Sequence, residues 1–457
     1  RQFPAESEAE ALTDIVRARL EMLGPVTSEE LAKAMCIEEQ RIDQALISLE
    51  SGGFAIRGHF SPNLDELEWC ERRLLARIHR YTLQKLRSGV KPVSTTEFMN
   101  FLLVWHRTTK ETMLEGPEAL KESLDQLDGF SCPAVAWESE LLPARISDYD
   151  HMWLDSYCLS GKIIWGRFHK KQVFKAAVAP IRSTPISLMN RSNFPMWSGL
   201  VNGTDPGILS QPAQGVLELL RDEGALFHQD LADRSGLLKS QADNAIAELV
   251  SGGHITCDSF AGLRALLLPE KFKTRSGQSR TSFEAQLSGR WALIDKVEGE
   301  EDLESYARIF LKRYGVVFRR LLLRESFCPP WRDLVRVLRQ MEARGVVRGG
   351  RFVDRWGEQY ALPEAVATMR KLRKEKKKGE LVSVSACDPV NLIGIITPEK
   401  RIPAVQGNRL LFRDGELVGK VEGKQIHVES NGKVQEWELK KALLKKQVPR
   451  YLGRTVF

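Results

Sequence analysis

The sequence predicts an α+β protein of tandem winged-helix modules followed by a small C-terminal β-rich, barrel-like domain. Three observations lead to this fold class. The chain has 457 residues, which is too long for one hydrophobic core. A phrase in which a helix ends on glycine and a short strand follows occurs four times. Strand patterns separated by hairpin signals occupy most of residues 381–457.

The recurrent phrase places a glycine seven residues before a phenylalanine. The four pairs are Gly53 and Phe60, Gly161 and Phe168, Gly253 and Phe260, and Gly345 and Phe352. The helices before the first and third copies align without a gap, so that Leu31 corresponds to Leu231. Such recurrence indicates stacked modules of one kind. Each glycine is expected to adopt the left-handed conformation that ends a helix.

The first copy shows how one module is built. Thr27 and Glu30 have the spacing of a capping box, which predicts the start of a short second helix. A third helix has an apolar stripe at Ile42, Ala45, Leu46 and Leu49. An upstream first helix is expected to present Leu12, Ile15, Val16 and Leu23 on one side. Three helices followed by a β hairpin are typical of the winged-helix fold.

The spacing of these phrases predicts the domain boundaries. We predict winged-helix or winged-helix-like modules at 1–66, 67–146, 147–204, 205–280 and 281–369, a basic linker at 370–380 and a β domain at 381–457. The second module is expected to open with an arginine-rich helix at 68–87 and to continue with helices in "VSTTEFMNFLLVW" and "LKESLDQLDGF". The linker is a charge run without an apolar face. Asp414-Gly415 and Asn431-Gly432 predict hairpins in the β domain.

Composition indicates a globular cytoplasmic protein. Hydrophobic residues make up 42% and charged residues 28% of the chain, and no apolar run approaches the roughly 20 residues of a membrane helix. Seven cysteines lie singly without C-x-x-C, which favours reduced, buried thiols over disulfides or zinc ligands. The chain begins at Arg1 without a secretory signal, so we expect a fragment of a longer polypeptide. The net charge of +7 favours a polyanionic partner.

Motifs of several common chemistries are missing from the sequence. The P-loop G-x-x-x-x-G-K-[ST], H-E-x-x-H and G-x-S-x-G do not occur, so we expect no ATP hydrolysis, metal site or cofactor within this chain. His79 and His106 are interpreted as ordinary buried or surface histidines. Asp148 and Asp150 are interpreted as helix caps rather than as an acid pair. The ten tryptophans are interpreted as module cores rather than base-stacking platforms.

Arginines on the last module are the leading candidates for DNA contacts. Its third helix has the apolar stripe Leu334, Val337, Leu338 and Met341, which leaves its arginines outward. Charge on a helix and on its wing can contact neighbouring rows of phosphates. The first group of candidates is Arg332, Arg336, Arg339, Arg348 and Arg351, and the second is Arg72, Arg73, Arg77 and Arg80. The alternative is a solvated charged face.

The first module differs from the last in its charge. Its third helix carries Glu38, Glu39 and Asp43, which would repel DNA. We therefore predict that this module binds protein instead.

Several phrases in order along the chain resemble the large helicase-related (Lhr) family of bacterial ATP-dependent DNA helicases. They are "EWCERRLLARIHRYTLQKLR", "PVSTTEFMNFLLVW", "ELLPARISDYD", "APIRSTPISL", "FAGLRALLLP", "GRWALI", "YGVVFRRLL" and "GEQYALPEAV". The resemblance covers nearly the whole chain. It falls on the family's C-terminal region, after the motor domains.

The resemblance implies different activities for the motor domains and for the C-terminal region. The missing motor domains would translocate from 3′ to 5′ on single-stranded DNA and unwind duplexes and RNA:DNA hybrids. They would also hold the ATP and magnesium that these activities need. The C-terminal region would bind DNA, single-stranded or forked, assemble a homo-oligomer and serve DNA repair. A purely structural oligomerisation scaffold without DNA affinity is a further hypothesis.

The array is also similar to the winged-helix DNA glycosylases of the AlkZ-like group, which excise uracil or alkylated bases. The catalytic Q-x-Q pair of that group is absent from this sequence. Q-x-D occurs at Gln126 with Asp128 and at Gln241 with Asp243, although so short a pattern also arises by chance. Base excision would require a pocket for a flipped nucleotide and a group that activates water.

Overall fold

A computed structural model describes residues 8–61, 64–168, 181–199, 209–267, 289–294, 302–429 and 434–445. The chain divides into two compact units, Arg1–Val90 and Lys91–Phe457. Winged-helix modules are present in both units, as the sequence predicts. None of the described helices is long and apolar enough to cross a membrane.

The first unit contains one winged-helix module. Its elements are α1 (Glu8–Leu20), β1 (Val26–Thr27), α2 (Ser28–Met35), α3 (Glu39–Ser51), β2 (Ala55–Gly58), β3 (Glu68–Glu71) and α4 (Arg72–Ser88). The antiparallel sheet has the order β1-β3-β2. Because β3 lies between the other two strands, the module extends past the boundary predicted at 66/67. The segment 68–87 therefore supplies a wing strand before it becomes a helix.

Local sequence signals build this module largely as predicted. The Thr27 side chain accepts a hydrogen bond from the Glu30 amide, and the Glu30 carboxylate accepts one from the Thr27 amide. The α3 stripe is fully buried, as are Leu12 and Val16 of α1. Ile15 is 53% exposed, so its predicted place in the core is wrong. Its neighbour Val16, also predicted to face the core, is buried as expected.

The second unit begins with α5 and a winged-helix module that the predicted boundaries divide. The elements are α5 (Thr95–Trp105), β4 (Leu114–Glu115), α6 (Pro117–Gln126), β5 (Ser131–Pro133), a π-helix (Trp137–Leu141), β6 (Ile146–Ser147), α7 (His151–Leu159), β7 (Ile163–Gly166), a 3-10 helix (Ile181–Ser183), β8 (Pro185–Asn190), a second 3-10 helix (Arg191–Asn193) and α8 (Phe194–Gly199). The sheet has the order β5-β8-β7. Strands from both sides of the predicted 146/147 boundary therefore share one sheet.

The next module follows the same plan with one insertion. Its elements are α9 (Gln211–Glu223), β9 (Leu226–Phe227), α10 (His228–Arg234), α11 (Lys239–Gly252), β10 (Ile255–Cys257), α12 (Phe260–Leu267) and β11 (Arg290–Leu293). The sheet has the order β10-β11-β9. Because β11 lies after residue 280, this module also extends past its predicted end. The predicted boundaries at 204/205 and 280/281 themselves lie outside the described residues.

The modules centred on α7 and α11 share one hydrophobic core. Buried apolar residues from Ala119 to Trp291 form a single cluster. Trp165 of β7 lies at its centre, with its ring perpendicular to that of Trp291 at a centroid distance of 6.0 Å. The Trp165 carbonyl accepts a 2.5 Å hydrogen bond from the Thr256 hydroxyl of β10. The wing strands of the two modules are therefore buried against each other.

The last winged-helix module precedes a helix that packs on α5. Its elements are α13 (Leu303–Tyr314), β12 (Val316–Val317), a 3-10 helix (Leu321–Arg324), α14 (Trp331–Ala343), β13 (Arg348–Gly350) and β14 (Gln359–Ala361), followed by α15 (Pro363–Lys374). The sheet has the order β12-β14-β13. The first part of the predicted linker 370–380 thus belongs to α15.

The C-terminal part is an open sheet. It comprises β15 (Leu381–Ser385), β16 (Arg409–Arg413), β17 (Glu416–Glu422), β18 (Gln425–Val428) and α16 (Glu436–Leu444). The four strands form an antiparallel meander in sequence order, with Asp414-Gly415 in the predicted turn between β16 and β17. The prediction of a barrel-like domain is wrong for the described strands, because they form an open sheet whose apolar face is covered by α16. The Asn431-Gly432 turn lies outside the described residues.

The four glycines of the repeated phrase share one backbone conformation. Their φ angles are 69° at Gly53, 70° at Gly161, 74° at Gly253 and 75° at Gly345. Each follows a third helix, α3, α7, α11 or α14, and precedes a strand. Only glycine adopts positive φ without strain, so this position reverses the chain from helix into wing. The prediction made from the repeat is confirmed.

Candidate nucleic-acid interface

One face of α14 carries arginines while the opposite face is buried. Leu334, Leu338 and Met341 have no exposed surface. The spacing of an α-helix then turns positions 332, 336 and 339 away from the core, and all three arginines are exposed. Arg348 on β13 and Arg351 directly after it are exposed as well. These five residues are called the α14–wing surface.

The wing, residues 351–358, is held in one conformation by a buried amide. The Gln359 side-chain oxygen accepts hydrogen bonds from the amides of Phe352 and Val353, at 3.0 and 2.8 Å. Its nitrogen donates to the Val353 carbonyl at 2.6 Å. Gln359 is fully buried, so these bonds form away from competing water. Arg351 therefore projects from a loop that is hydrogen-bonded to Gln359 at its base.

Two further contacts support the wing. Trp356 stacks on Phe318 of the same module, with a centroid distance of 6.1 Å and an interplanar angle of 11°. On the other side, Val93 pairs with Val353 as an isolated parallel bridge, and its amide donates to the Phe352 carbonyl at 2.7 Å. The segment just before α5 thus extends the edge of the wing.

The charges of the α14–wing surface are unequally available. Arg339 donates two hydrogen bonds to the Glu358 carboxylate, at 3.2 and 2.9 Å, and these bonds raise the pKa of Arg339. Arg336 lies 4.0 Å from the Asp333 carboxylate, at the outer limit of an ion pair. Arg332, Arg348 and Arg351 make no ion pair with the described part of the chain. These three arginines are the most available to an anion.

The second group of candidate arginines lies on α4 in the first unit. Glu71 caps this helix by accepting hydrogen bonds from the amides of Arg73 and Leu74, at 2.7 and 2.5 Å. Arg72, Arg73, Arg77 and Arg80 are all exposed. None of the residues of α4 is buried. The two groups of arginines therefore belong to separate units of the chain.

One face of α7, the third helix of its module, is covered by another helix. Arg264 of α12 donates to Glu138 at 2.8 Å and to Asp155 of α7 at 3.0 Å. The side chains of Glu138 and Asp155 are 7% and 9% exposed. Helix α12 therefore covers this face of α7 through a largely buried ion-pair network. Together with the paired wing strands, this contact favours the last module as the open one.

The first module keeps an acidic third helix. Glu38, at the start of α3, and Glu39 are exposed, and Asp43 is half-buried. The Glu39 carboxylate accepts a hydrogen bond from the Ser28 hydroxyl at 3.1 Å, which leaves its charge unneutralised. This placement agrees with the charge argument against DNA at α3.

Both Q-x-D pairs make polar contacts within the fold. Asp128 is buried and accepts hydrogen bonds from the Asn190 amide at 3.1 Å and the Asn193 side chain at 2.5 Å. Burial raises the pKa of Asp128. Gln126 donates to the Trp105 carbonyl at 3.0 Å and lines a cavity of about 480 Å³. In the other pair, Gln241 accepts from the Leu238 amide at the start of α11, and Asp243 contacts His228 at 2.7 Å.

Other predicted polar residues are placed as follows. Asp150 caps α7 by accepting a hydrogen bond from the Met152 amide at 2.9 Å, as the capping interpretation predicts. His106 is fully buried and His79 is exposed.

Five of the seven cysteines are buried, whereas Cys36 is exposed, so the expectation of burial is wrong for Cys36. Within the described ranges, no group of three or more His, Cys, Asp or Glu side chains is arranged to hold a metal ion.

Two sequence-family profiles match parts of the second unit. Each describes a winged-helix domain of the large helicase-related protein. One matches residues 93–188, from just before α5 into β8. The other matches residues 296–381 and includes α14 and the wing. The profiles therefore coincide with two of the described winged-helix modules, the one that contains α7 and the one that contains α14.

Similarity to named proteins extends over most of the chain. The chain is 26% identical over 419 residues to the Lhr helicase/probable uracil glycosylase of Mycolicibacterium smegmatis, covering 85% of this chain and 27% of that protein. It is 26% identical over 482 aligned residues to the Lhr helicase/uracil glycosylase of Escherichia coli, covering 96% of this chain and 30% of that protein. The chain is therefore similar to the C-terminal region of the large helicase-related (Lhr) proteins. It spans less than a third of the length of either Lhr relative.

The Lhr winged-helix domains point to nucleic acid as a partner. The chemistry of the α14–wing surface agrees, since guanidinium groups on a helix and wing are suited to phosphates. The sequence did not reveal that Glu358 neutralises part of this surface or that Gln359 fixes it. An alternation of arginine with single acidic residues in "DRWGEQY" is the only signal for these contacts.

Proposed function

We propose that this chain is the DNA-binding, non-motor region of an Lhr-type ATP-dependent 3′–5′ helicase and that it acts in DNA repair. The observation that carries the proposal is the α14–wing surface, where five exposed arginines project from a helix and from a wing hydrogen-bonded to Gln359. ATP and magnesium would act in the motor domains of the whole protein. This region would hold single-stranded or forked DNA, or an RNA:DNA hybrid, while the motor moves.

The decisive experiment neutralises the three most available arginines, as R332Q, R348Q and R351Q together. The affinity for forked DNA is measured by fluorescence anisotropy at several salt concentrations. Each lost phosphate contact lowers the slope of log K against log salt by about 0.9 on duplex DNA. The exposed Arg221 on α9 provides a matched control as R221Q. An unchanged slope in the triple variant would remove the proposal.

A second candidate function is excision of uracil, which is favoured by the names of both relatives. It predicts that the chain alone, without ATP, forms abasic sites in uracil-containing DNA that alkali then cleaves. Asp128 is the carboxylate to substitute first, because its raised pKa and buried position resemble those of a tuned acid. D128N should abolish cleavage while D243N should retain it. Equal activity in both variants would exclude Asp128, and absence of cleavage in the unmodified chain would exclude this function.

We also infer that the chain assembles subunits of the same kind. The first unit supports this proposal, because α3 lacks the charge for DNA and α4 leaves Tyr81 65% exposed and Leu86 58% exposed. Light scattering on the intact chain tests assembly directly. A monomeric mass at all concentrations would contradict it. A stable multimer without DNA affinity at low salt would instead favour the scaffold hypothesis.

A further inference from the structure

A cavity of about 560 Å³ lies between the C-terminal sheet and the module that contains the π-helix. Its walls come from β15, one side of α16 along its length, the π-helix and the loop that follows α5. Cavities of roughly 300–1,000 Å³ are the size that holds small ligands or parts of larger ones. It lies outside the α14–wing surface, since none of the five surface arginines lines it. It is called the Trp437 cavity.

The floor of the Trp437 cavity is a neutralised ion pair. Arg409 bonds to the Glu140 carboxylate, and their side chains are 7% and 8% exposed. Arg409 also donates to the Ser383 hydroxyl at 3.1 Å and to the Leu443 carbonyl at 3.0 Å. These partners fix the guanidinium in place. Its charge is therefore cancelled by Glu140 and adds little to the potential of the cavity.

The rim of the cavity carries uncancelled positive charge. Lys110, Lys441 and Lys445 line it, are exposed, and make no ion pair with any described side chain. Two carboxylates, Glu380 and Glu438, also line the cavity, so the rim retains a net positive charge of one (three lysines less two acids). Glu380 accepts a hydrogen bond from the Lys110 backbone amide at 3.0 Å. The rim thus favours an anion.

An exposed indole stands beside these lysines. The Trp437 side chain lines the cavity and Trp437 is 57% exposed, whereas Trp137, Trp165, Trp197 and Trp291 are buried in module cores. Its indole nitrogen is bonded to the Gln435 side chain, and the Lys441 ammonium lies 5.9 Å from its ring centroid. An exposed aromatic ring within a basic groove is the arrangement by which proteins hold unpaired nucleotides. Lys441 lies one helical turn after Trp437, Lys445 directly follows α16, and Lys110 comes from the loop after α5.

We propose that the Trp437 cavity binds single-stranded nucleic acid, with one base stacked on Trp437 and adjacent phosphates bound by Lys441, Lys445 and Lys110. A duplex does not fit this arrangement, because its bases are stacked within the helix and cannot reach the indole. In this mode the indole would recognise only the face of a base, and the ammonium groups would recognise only phosphates. DNA and RNA strands are therefore expected to bind alike, without sequence preference.

The test compares anisotropy of labelled ten-residue oligothymidylate, oligouridylate and a blunt duplex with the intact chain. W437A should weaken binding of both single strands about tenfold, within the range of one lost base stack. W437F should retain most of the affinity, since it keeps an aromatic ring. K441Q with K445Q should weaken binding and reduce its salt dependence. Affinity for the duplex should stay unchanged in all these variants.

Lys440 supplies the matched control, because it lies on the same helix but pairs with Glu436 at 2.6 Å and does not line the cavity. K440Q should bind both strands as the unmodified chain does. The proposal would be overturned if W437A and the double variant K441Q with K445Q both bound oligothymidylate as tightly as K440Q does. The triple arginine variant of α14 and the wing, measured beside them, separates the two surfaces. If the triple arginine variant lost duplex binding while W437A kept its affinity for single strands, the proposed function would stand and only the Trp437 site would be rejected.

Discussion

Arg339 on α14 and Glu358 in the wing are joined by two hydrogen bonds of 3.2 and 2.9 Å. The pair closes the gap between the third helix and the wing. The pair also neutralises Arg339, one of the five arginines proposed to face phosphates. The α14–wing surface is therefore less positive than its sequence suggests, and its charge can be increased by one substitution.

The first prediction is that E358Q strengthens DNA binding. Removing the carboxylate frees Arg339 for a phosphate, so the salt slope should steepen by up to about 0.9. Titrations of forked DNA at several salt concentrations measure this change. E364Q, an equal change of charge at an exposed position on α15, should alter the slope less. A slope in E358Q no steeper than in E364Q would show that Arg339 does not face DNA.

The second prediction concerns a buried ion pair between the first module of the second unit and the C-terminal part. Arg145 donates to Asp388 at 2.7 and 3.0 Å, and the two side chains are each 1% exposed. D388N would leave the Arg145 charge buried without compensation, at a cost of about 3–5 kcal/mol in the free energy of unfolding. Urea unfolding followed by tryptophan fluorescence measures it.

A surface pair serves as the control for this variant. Arg107 and Glu122 form an ion pair whose side chains are 35% and 55% exposed. E122Q should cost no more than about 1 kcal/mol, because exposed pairs are screened by water and salt. Similar losses in D388N and E122Q would mean that Asp388 is solvated in solution.

The third prediction is a loss of stability in acid that depends on His106. Burial lowers the pKa of His106 to about 3, and its Nδ1 accepts a hydrogen bond from Arg145 at 3.0 Å. In the unfolded chain the pKa returns to about 6.5. Below that pH the unfolded chain binds a proton that the folded chain does not, so stability is complete above pH 6.5 and falls progressively towards pH 3.

Urea midpoints measured between pH 7 and pH 4 test this dependence. H106Q keeps an acceptor for Arg145 but cannot titrate, so its curve should fall less over the same range. The pKa of Asp388 is also held below its usual value, because Arg145 outweighs the effect of burial. Its own contribution is lost only below pH 4, as the pH falls through that lowered pKa. Parallel curves for H106Q and the unmodified chain would contradict the assignment.

The fourth prediction separates two glycine turns of the C-terminal sheet. Gly415 has φ +83°, and a Cβ there would lie 2.1 Å from the Thr96 carbonyl oxygen and 2.6 Å from the Asn100 amide of α5. Gly423, in the next turn, has φ +62° but open space around it. G423A should cost about 1–2 kcal/mol for its backbone conformation alone. G415A should cost clearly more, because α5 must also move.

Thermal unfolding and limited proteolysis measure this difference. In G415A, the sheet should be cleaved faster than in G423A, since its turn can no longer pack on α5. Equal stability of the two variants would indicate that the turn does not contact α5 in solution.

Local signals in the sequence predicted the repeated elements. A capping box at Thr27, an apolar stripe at every fourth or third residue and a glycine before each wing are properties of a few neighbouring residues, so they can be recognised without knowledge of the rest. The left-handed glycine at residues 53, 161, 253 and 345 follows from this local chemistry. The exposure of the α14 arginines follows in the same way from the buried stripe opposite them.

Module boundaries and the availability of each wing depended on contacts distant in sequence. β5 pairs with β8 across a gap that includes the boundary predicted at 146/147, and short strands of three or four residues carry little signal of their own. Arg264 covers part of α7 through Asp155, which lies 109 residues away. The Trp437 cavity likewise joins the loop after α5 to α16. No local pattern identifies such partners.

The salt dependence of forked-DNA binding by the R332Q, R348Q and R351Q variant tests the central claim most directly. If the last module contacts phosphates through this surface, the slope should fall by up to about 2.7, at roughly 0.9 for each arginine. The control R221Q should keep the slope of the unmodified chain. A triple variant with the same slope and affinity as R221Q would contradict the account of α14 and its wing as the principal DNA-binding surface.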